Sequence, residues 1–295
     1  MSGNGSRAFL PACWVNGRRV DPAAAQLAVT ERGFTLADGL FETMRAYRGT
    51  IFQLDAHLHR LAASADRLGL ICPQRLPDVI AEVVHELHAH ESDAAVRLTV
   101  TRGAVPGGLA PPPADALSVT VVILVQPVPA FADAIYRVGL RVHTVSGRRN
   151  EFAMSAGLKT LAYTDSVMAL IEARAHAADE ALFLDTEGHV SEATASNVFV
   201  RLDDEVRTPP LACGALPGIT RAVIKDLLIE QGTAVREAVI TAGELARADE
   251  VFLTSSLRGV APVAAIDGRA LAAPGPITRA AMDGYAARVL DECTR

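Results

Sequence analysis

Hydrophobic and polar positions change period several times along this chain, and each change marks an element. Trp14 to Val20 reads as a hairpin of two short strands about Asn16-Gly17, a dipeptide that accepts the positive φ angles of a two-residue turn. A glycine-punctuated loop around Ala37-Asp38-Gly39 follows. The run to Tyr47 then alternates, with Phe41, Thr43 and Arg45 on one face of a strand and Leu40, Glu42 and Met44 on the other. From His57 the period lengthens to that of a helix. Leu58, Leu61, Ala65 and Leu68 share a stripe and Gly69 ends it. A second helix is predicted over Leu76 to His90, then an alternating strand from Ala95 to Thr101. The Gly- and Pro-rich stretch Gly103 to Pro113 reads as a loop, and Leu117 to Val125 as β structure.

Pro127 and Pro129 stiffen Gln126-Pro127-Val128-Pro129-Ala130-Phe131 and remove two backbone donors. A linker over 126–132 is therefore expected, dividing an amino-terminal domain, 1–125, from a carboxy-terminal one, 133–295. Beyond it the pattern predicts a strand over Leu140 to Val145 and a helix from about Thr160 to Ala178. Leu161, Val167, Met168, Leu170 and Ile171 lie on several sides of that helix, so it is expected to be mostly buried. Strands at Ala181 to Asp185 and Asn197 to Arg201 are expected about a turn at Glu187-Gly188. A helix over Ile219 to Gln231 closes on Gly232, and Val251 to Thr254 reads as a short buried strand. There is no internal repeat.

Composition narrows the class. The chain has 295 residues, half of them apolar, and a net charge of -6 from 28 basic and 34 acidic side chains. That is room for one large or two medium domains. No basic run or aromatic-interleaved patch points to nucleic acid. The longest apolar run, Val119 to Val125, is too short for a bilayer, and Met1 to Leu10 lacks the pattern of a secretory signal. Cys13, Cys72, Cys213 and Cys293 are widely spaced, which suits reduced thiols in a cytoplasmic protein.

Candidate chemistry gathers around Ser155-Ala156-Gly157-Leu158-Lys159-Thr160-Leu161-Ala162-Tyr163. A lysine among small and apolar neighbours is either an ordinary surface residue or an amine able to form a Schiff base with a carbonyl cofactor. Leu216-Pro217-Gly218-Ile219-Thr220-Arg221 leads directly into a helix, whose first N–H groups suit a phosphate; the same grammar also serves plain capping. Glu192 stands among small residues in Val190 to Asn197, as an acid facing a protonated ring nitrogen would, or as a turn residue. The hydroxyls of Thr254-Ser255-Ser256 could meet phosphate oxygens or loop backbone. Arg60 is either a phosphate fork or part of a solvated helix face. Arg97, inside an apolar strand, needs an anionic partner, which a substrate carboxylate or an internal salt bridge would supply. His85, His88 and His90 do not share one helical face, so no metal is expected. Neither Gly-x-Ser-x-Gly nor a P-loop pattern occurs.

Together these segments resemble the class IV, or fold-type IV, pyridoxal-phosphate enzymes: branched-chain and D-amino acid aminotransferases, (R)-amine transaminases and aminodeoxychorismate lyases. Arg32-Gly33-Phe34-Thr35-Leu36-Ala37-Asp38-Gly39-Leu40-Phe41-Glu42-Thr43 is similar to the family's first signature. Ala215 to Arg221 and Ala248-Asp249-Glu250-Val251-Phe252-Leu253 resemble the branched-chain enzymes. The resemblance runs from about Trp14 to Gly268. It implies an α/β (α+β) two-domain fold, with a smaller amino-terminal α/β domain and a larger carboxy-terminal domain that binds pyridoxal 5'-phosphate, in a homodimer.

By position, the resemblance implies that Lys159 is the Schiff-base lysine and acid–base group and that Glu192 faces the pyridine nitrogen. Tyr163, four residues after the lysine on a helical face, would bond the phenolic oxygen. Arg60, the N–H groups of Ile219 and Thr220, and the hydroxyls of Ser255 and Ser256 would hold the phosphate, with Leu216 against the ring. Phe41 and Arg97 would meet substrate. The member is open. The Arg-x-His clamp usual in D-amino acid aminotransferases is missing after Thr101-Arg102-Gly103, and Thr43 stands where branched-chain enzymes usually carry glycine. Phe-x-Thr is frequent in the lyases, where that threonine is thought to protonate the departing pyruvate unit. The first expectation is an aminotransferase working between an amino donor and a 2-oxo acid. The second is a lyase releasing pyruvate and 4-aminobenzoate, and a third is a catalytically silent relative acting as a scaffold.

Overall fold

The computed structural model describes residues 11–73, 75–90, 93–105, 108–113 and 118–293, apart from the side chains of 89 and 90. The chain divides into two compact units. One comprises Met1–Pro129, Lys159–Leu161 and Asp291–Arg295; the other comprises Ala130–Leu158 and Ala162–Leu290.

The first unit is built on a six-stranded sheet. Its elements are β1 (Ala12–Val15), β2 (Arg18–Val20), α1 (Arg32–Leu36), β3 (Gly39–Tyr47), β4 (Thr50–Ile51), α2 (Leu54–Leu68), α3 (Leu76–His90), β5 (Ala94–Thr101) and β6 (Thr120–Pro127). The strands lie in the order β2-β1-β6-β5-β3-β4, every pair antiparallel. Asn16 and Gly17 take φ of 51° and 77° at the β1–β2 turn, as a hairpin requires. Burial alternates along β3 from Glu42 onward, with Glu42, Met44 and Ala46 buried and Thr43, Arg45 and Tyr47 half-buried, while Leu40 and Phe41 at its start are both buried. Two expectations need correction. The loop expected ahead of β3 contains α1, started by Glu31, whose carboxylate accepts from the Phe34 N–H at 3.1 Å. The stretch expected as linker begins as sheet, since Gln126 and Pro127 pair with Ala95 and Ala94. Residue 117, the expected start of that β run, and residues 106–107 of the Gly- and Pro-rich loop lie outside the described residues.

The second unit carries α4 (Asp133–Val138), β7 (Leu140–Arg149), α5 (Thr164–Ala175), β8 (Glu180–Asp185), β9 (Val190–Ala193), β10 (Asn197–Leu202) and β11 (Glu205–Thr208). Then come α6 (Ile219–Glu230), β12 (Val235–Glu237), α7 (Ala242–Leu245), β13 (Glu250–Ser255), β14 (Gly259–Ile266), β15 (Arg269–Ala270) and α8 (Pro276–Cys293). The strand order is β12-β11-β10-β13-β14-β7-β8-β9, with β15 beside β14. Val198, Val200, Val251, Leu253, Val263 and Leu182 fill one face of the sheet. On the other face Phe199 stacks on Phe252 with centroids 4.9 Å apart, and α6, whose Ile224 and Leu228 are buried, packs against β13. Burying each such side chain is worth roughly 1.5–3 kcal/mol.

Three expectations change here. The strand at Asn197 does not pair across Glu187-Gly188; β9 does, and β10 pairs with β13. The helix expected from Thr160 starts only at Thr164, because Lys159–Leu161 is extended and bonded to β3. Nor is that helix mostly buried. It lies on β7 and β8 by its small residues Ser166, Ala169 and Ala173, which turns Val167, Met168 and Ile171 outward at 55%, 62% and 62% exposure. Among the described residues no helix is long and apolar enough to cross a membrane.

Candidate active site

In the first unit, Lys159-Thr160-Leu161 runs as a short antiparallel rung along the start of β3. The Phe41 N–H donates to the Lys159 carbonyl at 3.0 Å, the Leu161 N–H donates to the Gly39 carbonyl at 3.2 Å, and Leu40 bridges Thr160. Gly39 permits this approach: a Cβ there would stand 2.7 Å from the Val100 carbonyl oxygen and 3.0 Å from Leu161 Cδ1. The Lys159 ammonium lies 4.5 Å from the centroid of the Phe41 ring, and the Arg97 guanidinium carbon 3.7 Å from it. Thr43 faces Arg97 across the β3–β5 ladder, so Phe41, Thr43 and Arg97 share one sheet face, with the Lys159 ammonium against the same ring.

The opposite face of β3 holds a buried ionic cluster. Arg60 of α2 donates to Glu42 through Nε at 2.8 Å and Nη2 at 2.5 Å, and His57 places Nδ1 2.7 Å from the same carboxylate. Burial opposes the charge on Glu42, but hydrogen bonds from His57 and Arg60 with their positive charges outweigh it, holding Glu42 below the usual carboxylate range. Burial dominates for His57 and pushes it below its usual value despite Glu42; the charges of Arg60 and Lys159 add to the fall. Ahead of β3, Asp38 accepts from Arg32 Nε at 2.8 Å and Arg102 Nε at 2.9 Å. Those arginines also donate to the carbonyls of Gly108, Leu109, Gly69 and Leu68. In the sequence, Glu42 falls on the apolar face of β3 with no local partner. A carboxylate at such a position, with His57-x-x-Arg60 on the following helix, was the available signal.

In the second unit, Glu192 of β9 is held from two sides. The Leu216 N–H donates to Oε2 at 2.9 Å and Arg149 Nη2 approaches Oε1 at 3.3 Å, while the Arg149 guanidinium lies 4.4 Å from the Phe183 ring. Arg149, at the end of β7, was missed because no local pattern ties it to Glu192. Ile219 and Thr220 open α6, whose N-cap is Gly218; no side chain caps it and no acid sits in its first turn. Asn197 donates to the Leu216 carbonyl at 2.9 Å, and a Cβ on Gly218 would fall 1.8 Å from Asn197 Oδ1. Thr254 faces Asn197 in the β10–β13 ladder, and its hydroxyl is buried with no hydrogen-bond partner. Ser255 ends β13, Ser256 follows in the turn, and the Arg258 N–H reaches Ser255 Oγ at 3.4 Å. Arg258 is fixed in turn by Glu180, which accepts from its Nη1 at 2.7 Å and also takes the Thr194 hydroxyl. Arg221, the last residue of that motif, points into the interior, bonded to Thr208 and the Pro209 carbonyl.

Tyr163 requires a correction. It is the N-cap of α5, and the segment from Lys159 to Leu161 is extended, so the two residues are not one turn apart on a helix. Among the described residues no group of three or more His, Cys, Asp or Glu side chains is placed to hold a metal ion; the side chain of His90 lies outside them.

Comparison with known proteins gives this geometry a family. The sequence matches the class IV aminotransferases over residues 39–266. It is 33% identical over 283 residues to a branched-chain-amino-acid aminotransferase of Pseudomonas aeruginosa, covering 92% of this chain and 91% of that one. To a D-alanine aminotransferase of Bacillus licheniformis it is 31% identical over 291 residues, covering 95% and 98%. Among solved structures, the 4-amino-4-deoxychorismate lyase of Pseudomonas aeruginosa matches with a TM-score of 0.82 and 32% identity, covering 95% of this chain and 98% of that one. A core of this length, matched nearly end to end, leaves one conclusion: the chain belongs to the class IV aminotransferases and is a pyridoxal-phosphate-dependent aminotransferase of fold-type IV.

Proposed function

We propose that the protein moves an amino group between an amino acid or amine and a 2-oxo acid in a ping-pong cycle, as a cytoplasmic homodimer, with Lys159 joined to the cofactor as a Schiff base. The observation that carries the reading is the pairing of Glu192 with both the Leu216 N–H and Arg149. Two donors fix that carboxylate in position and direction, as a group facing a protonated ring nitrogen requires. The remaining residues suit the cofactor's other groups. The uncapped start of α6 offers the N–H groups of Ile219 and Thr220 to an anion, and the partnerless Thr254 hydroxyl is buried on the strand that ends at Ser255, just ahead of Ser256. When bound, the cofactor supplies an electron sink for the electrons left by the departing α-proton.

The protein's own residues do the rest. Once the substrate amine has displaced it, the freed Lys159 amine would take the proton from the substrate α-carbon and deliver it across the substrate nitrogen, a 1,3-shift. Arg97, stacked on Phe41 and sharing its sheet face with Thr43, is placed to orient a substrate carboxylate. Arg60 meets the phosphate. Tyr163 and Leu216 contact the ring from loop positions. Support for a dimer comes from the outward face of α5 with Phe152 and Met154, which are 77% and 96% exposed.

Mixing the purified holoenzyme with single D- and L-amino acids tests the reading. Loss of the visible cofactor absorbance, with release of the matching 2-oxo acid, is expected. The second reading, a lyase, is favoured by Thr43 lying on the face of Phe41 and Arg97. No absorbance change with any amino acid, together with pyruvate release from aminodeoxychorismate, would replace the first reading by the second.

A further inference from the structure

Glu42 is 1% exposed on the apolar face of β3 that α2 covers. A carboxylate so placed is unfavourable by several kcal/mol unless donors surround it. Its side-chain donors come from a single turn of α2. Arg60 contributes Nε and Nη2, one to each carboxylate oxygen, and His57, three residues earlier, contributes Nδ1 to Oε2. A two-point bond between planar groups fixes the plane of the guanidinium as well as its position, which a single bond cannot do. The residue before Glu42 carries the backbone N–H that holds the Lys159 carbonyl. Two adjacent residues of one central strand thus anchor Lys159 and Arg60 together.

We propose that Glu42, braced by His57, is a positioning residue that presets the Arg60 guanidinium for the cofactor's phosphate. The inference rests on the reading that Arg60 meets that phosphate. Preorganisation of this kind acts on affinity, because the guanidinium does not have to be ordered when the phosphate arrives. Its signature is selective: it belongs to the phosphate and not to the ring.

The full chain, stripped of cofactor, is titrated with pyridoxal phosphate and with pyridoxal, which lacks the phosphate. Wild type is compared with Arg60→Gln, Glu42→Gln, His57→Gln and the Glu42→Gln/Arg60→Gln double variant. Glu42→Gln is expected to weaken pyridoxal phosphate about tenfold or more and to leave pyridoxal affinity within about twofold. His57→Gln should act in the same direction with a smaller factor. The double variant should bind no more weakly than Arg60→Gln alone, as residues acting in series do. Equal loss for both ligands, or loss for neither, would overturn the proposal and leave Glu42 a core residue. If Glu42→Gln does not fold, the same two-ligand comparison on His57→Gln decides it. An unchanged ratio in Arg60→Gln would remove the phosphate reading itself, whereas a collapsed ratio there with an intact one in Glu42→Gln would remove only the role given to Glu42.

Discussion

The backbone N–H of Phe41 holds the carbonyl of Lys159 at 3.0 Å, while the ring of the same phenylalanine lies 4.5 Å from the lysine ammonium. One residue therefore fixes both ends of Lys159. The consequence is that Lys159→Ala should keep its fold and lose its chemistry. After addition of pyridoxal phosphate we expect only the absorbance of the free cofactor, without the shifted Schiff-base band, and no detectable turnover, with an unchanged circular dichroism spectrum. Retained turnover would defeat the assignment of this lysine.

Arg97 stacks on that ring and faces Thr43. Replacing it with methionine keeps much of the packing and removes the charge. A charge-assisted hydrogen bond to a carboxylate is worth about 1.5–3 kcal/mol, so kcat/KM for a 2-oxo acid should fall roughly 10- to 100-fold. An amine donor without a carboxylate should be much less affected. Steady-state kinetics with the 2-oxo acid and with the amine donor checks this.

Asp38 joins Arg32 and Arg102, whose side chains are 5% and 7% exposed. Burial alone would raise Asp38, but the bonds from Arg102 and Arg32 outweigh it and lower it from the usual 3.8. Its stabilising effect is thus complete above pH 3.8 and is lost as pH falls through the lower folded value. Asp38→Asn should cost about 3 kcal/mol at neutral pH, since two buried cations lose their counter-charge. Urea unfolding should show wild type and variant converging as the buffer is made more acidic than pH 3.8.

Gly218 has an ordinary φ of -69°, so its requirement is one of space. An alanine Cβ would collide with Asn197 Oδ1 at 1.8 Å. Gly218→Ala should displace Asn197 from the Leu216 carbonyl, lower stability by about 1–3 kcal/mol, and weaken pyridoxal phosphate. Thermal unfolding with and without cofactor reads both effects.

Ile171 and Met168 are each 62% exposed on α5. If this face joins two copies, Ile171→Glu should give monomers in sedimentation at concentrations where wild type is a dimer. A variant that remains dimeric would place the interface elsewhere.

Much of the fold is legible in the periodicity. The second predicted helix, Leu76 to His90, matches α3, and the strand alternation holds from Glu42 to Tyr47, because both depend on local spacing. The exposed outer face of α5 was not legible. Val167, Met168 and Ile171 look like core residues until one sees that Ser166, Ala169 and Ala173 make the contact with the sheet. Tyr163 shows the same limit from the other side. Counting four residues from Lys159 presumed a helix where the chain is extended against β3.

By itself, then, the sequence determined most of the element types and, through Arg32 to Thr43, Ala215 to Arg221 and Ala248 to Leu253, the resemblance to the family. Tertiary structure alone decided which partners the site residues keep: Glu42 with Arg60 and His57, Glu192 with Arg149 and Leu216, Lys159 with Phe41. The physical reason is range. Helix and strand periods arise between residues a few positions apart, whereas these partners are separated by 15 to 118 positions, on different elements, and no local pattern names them.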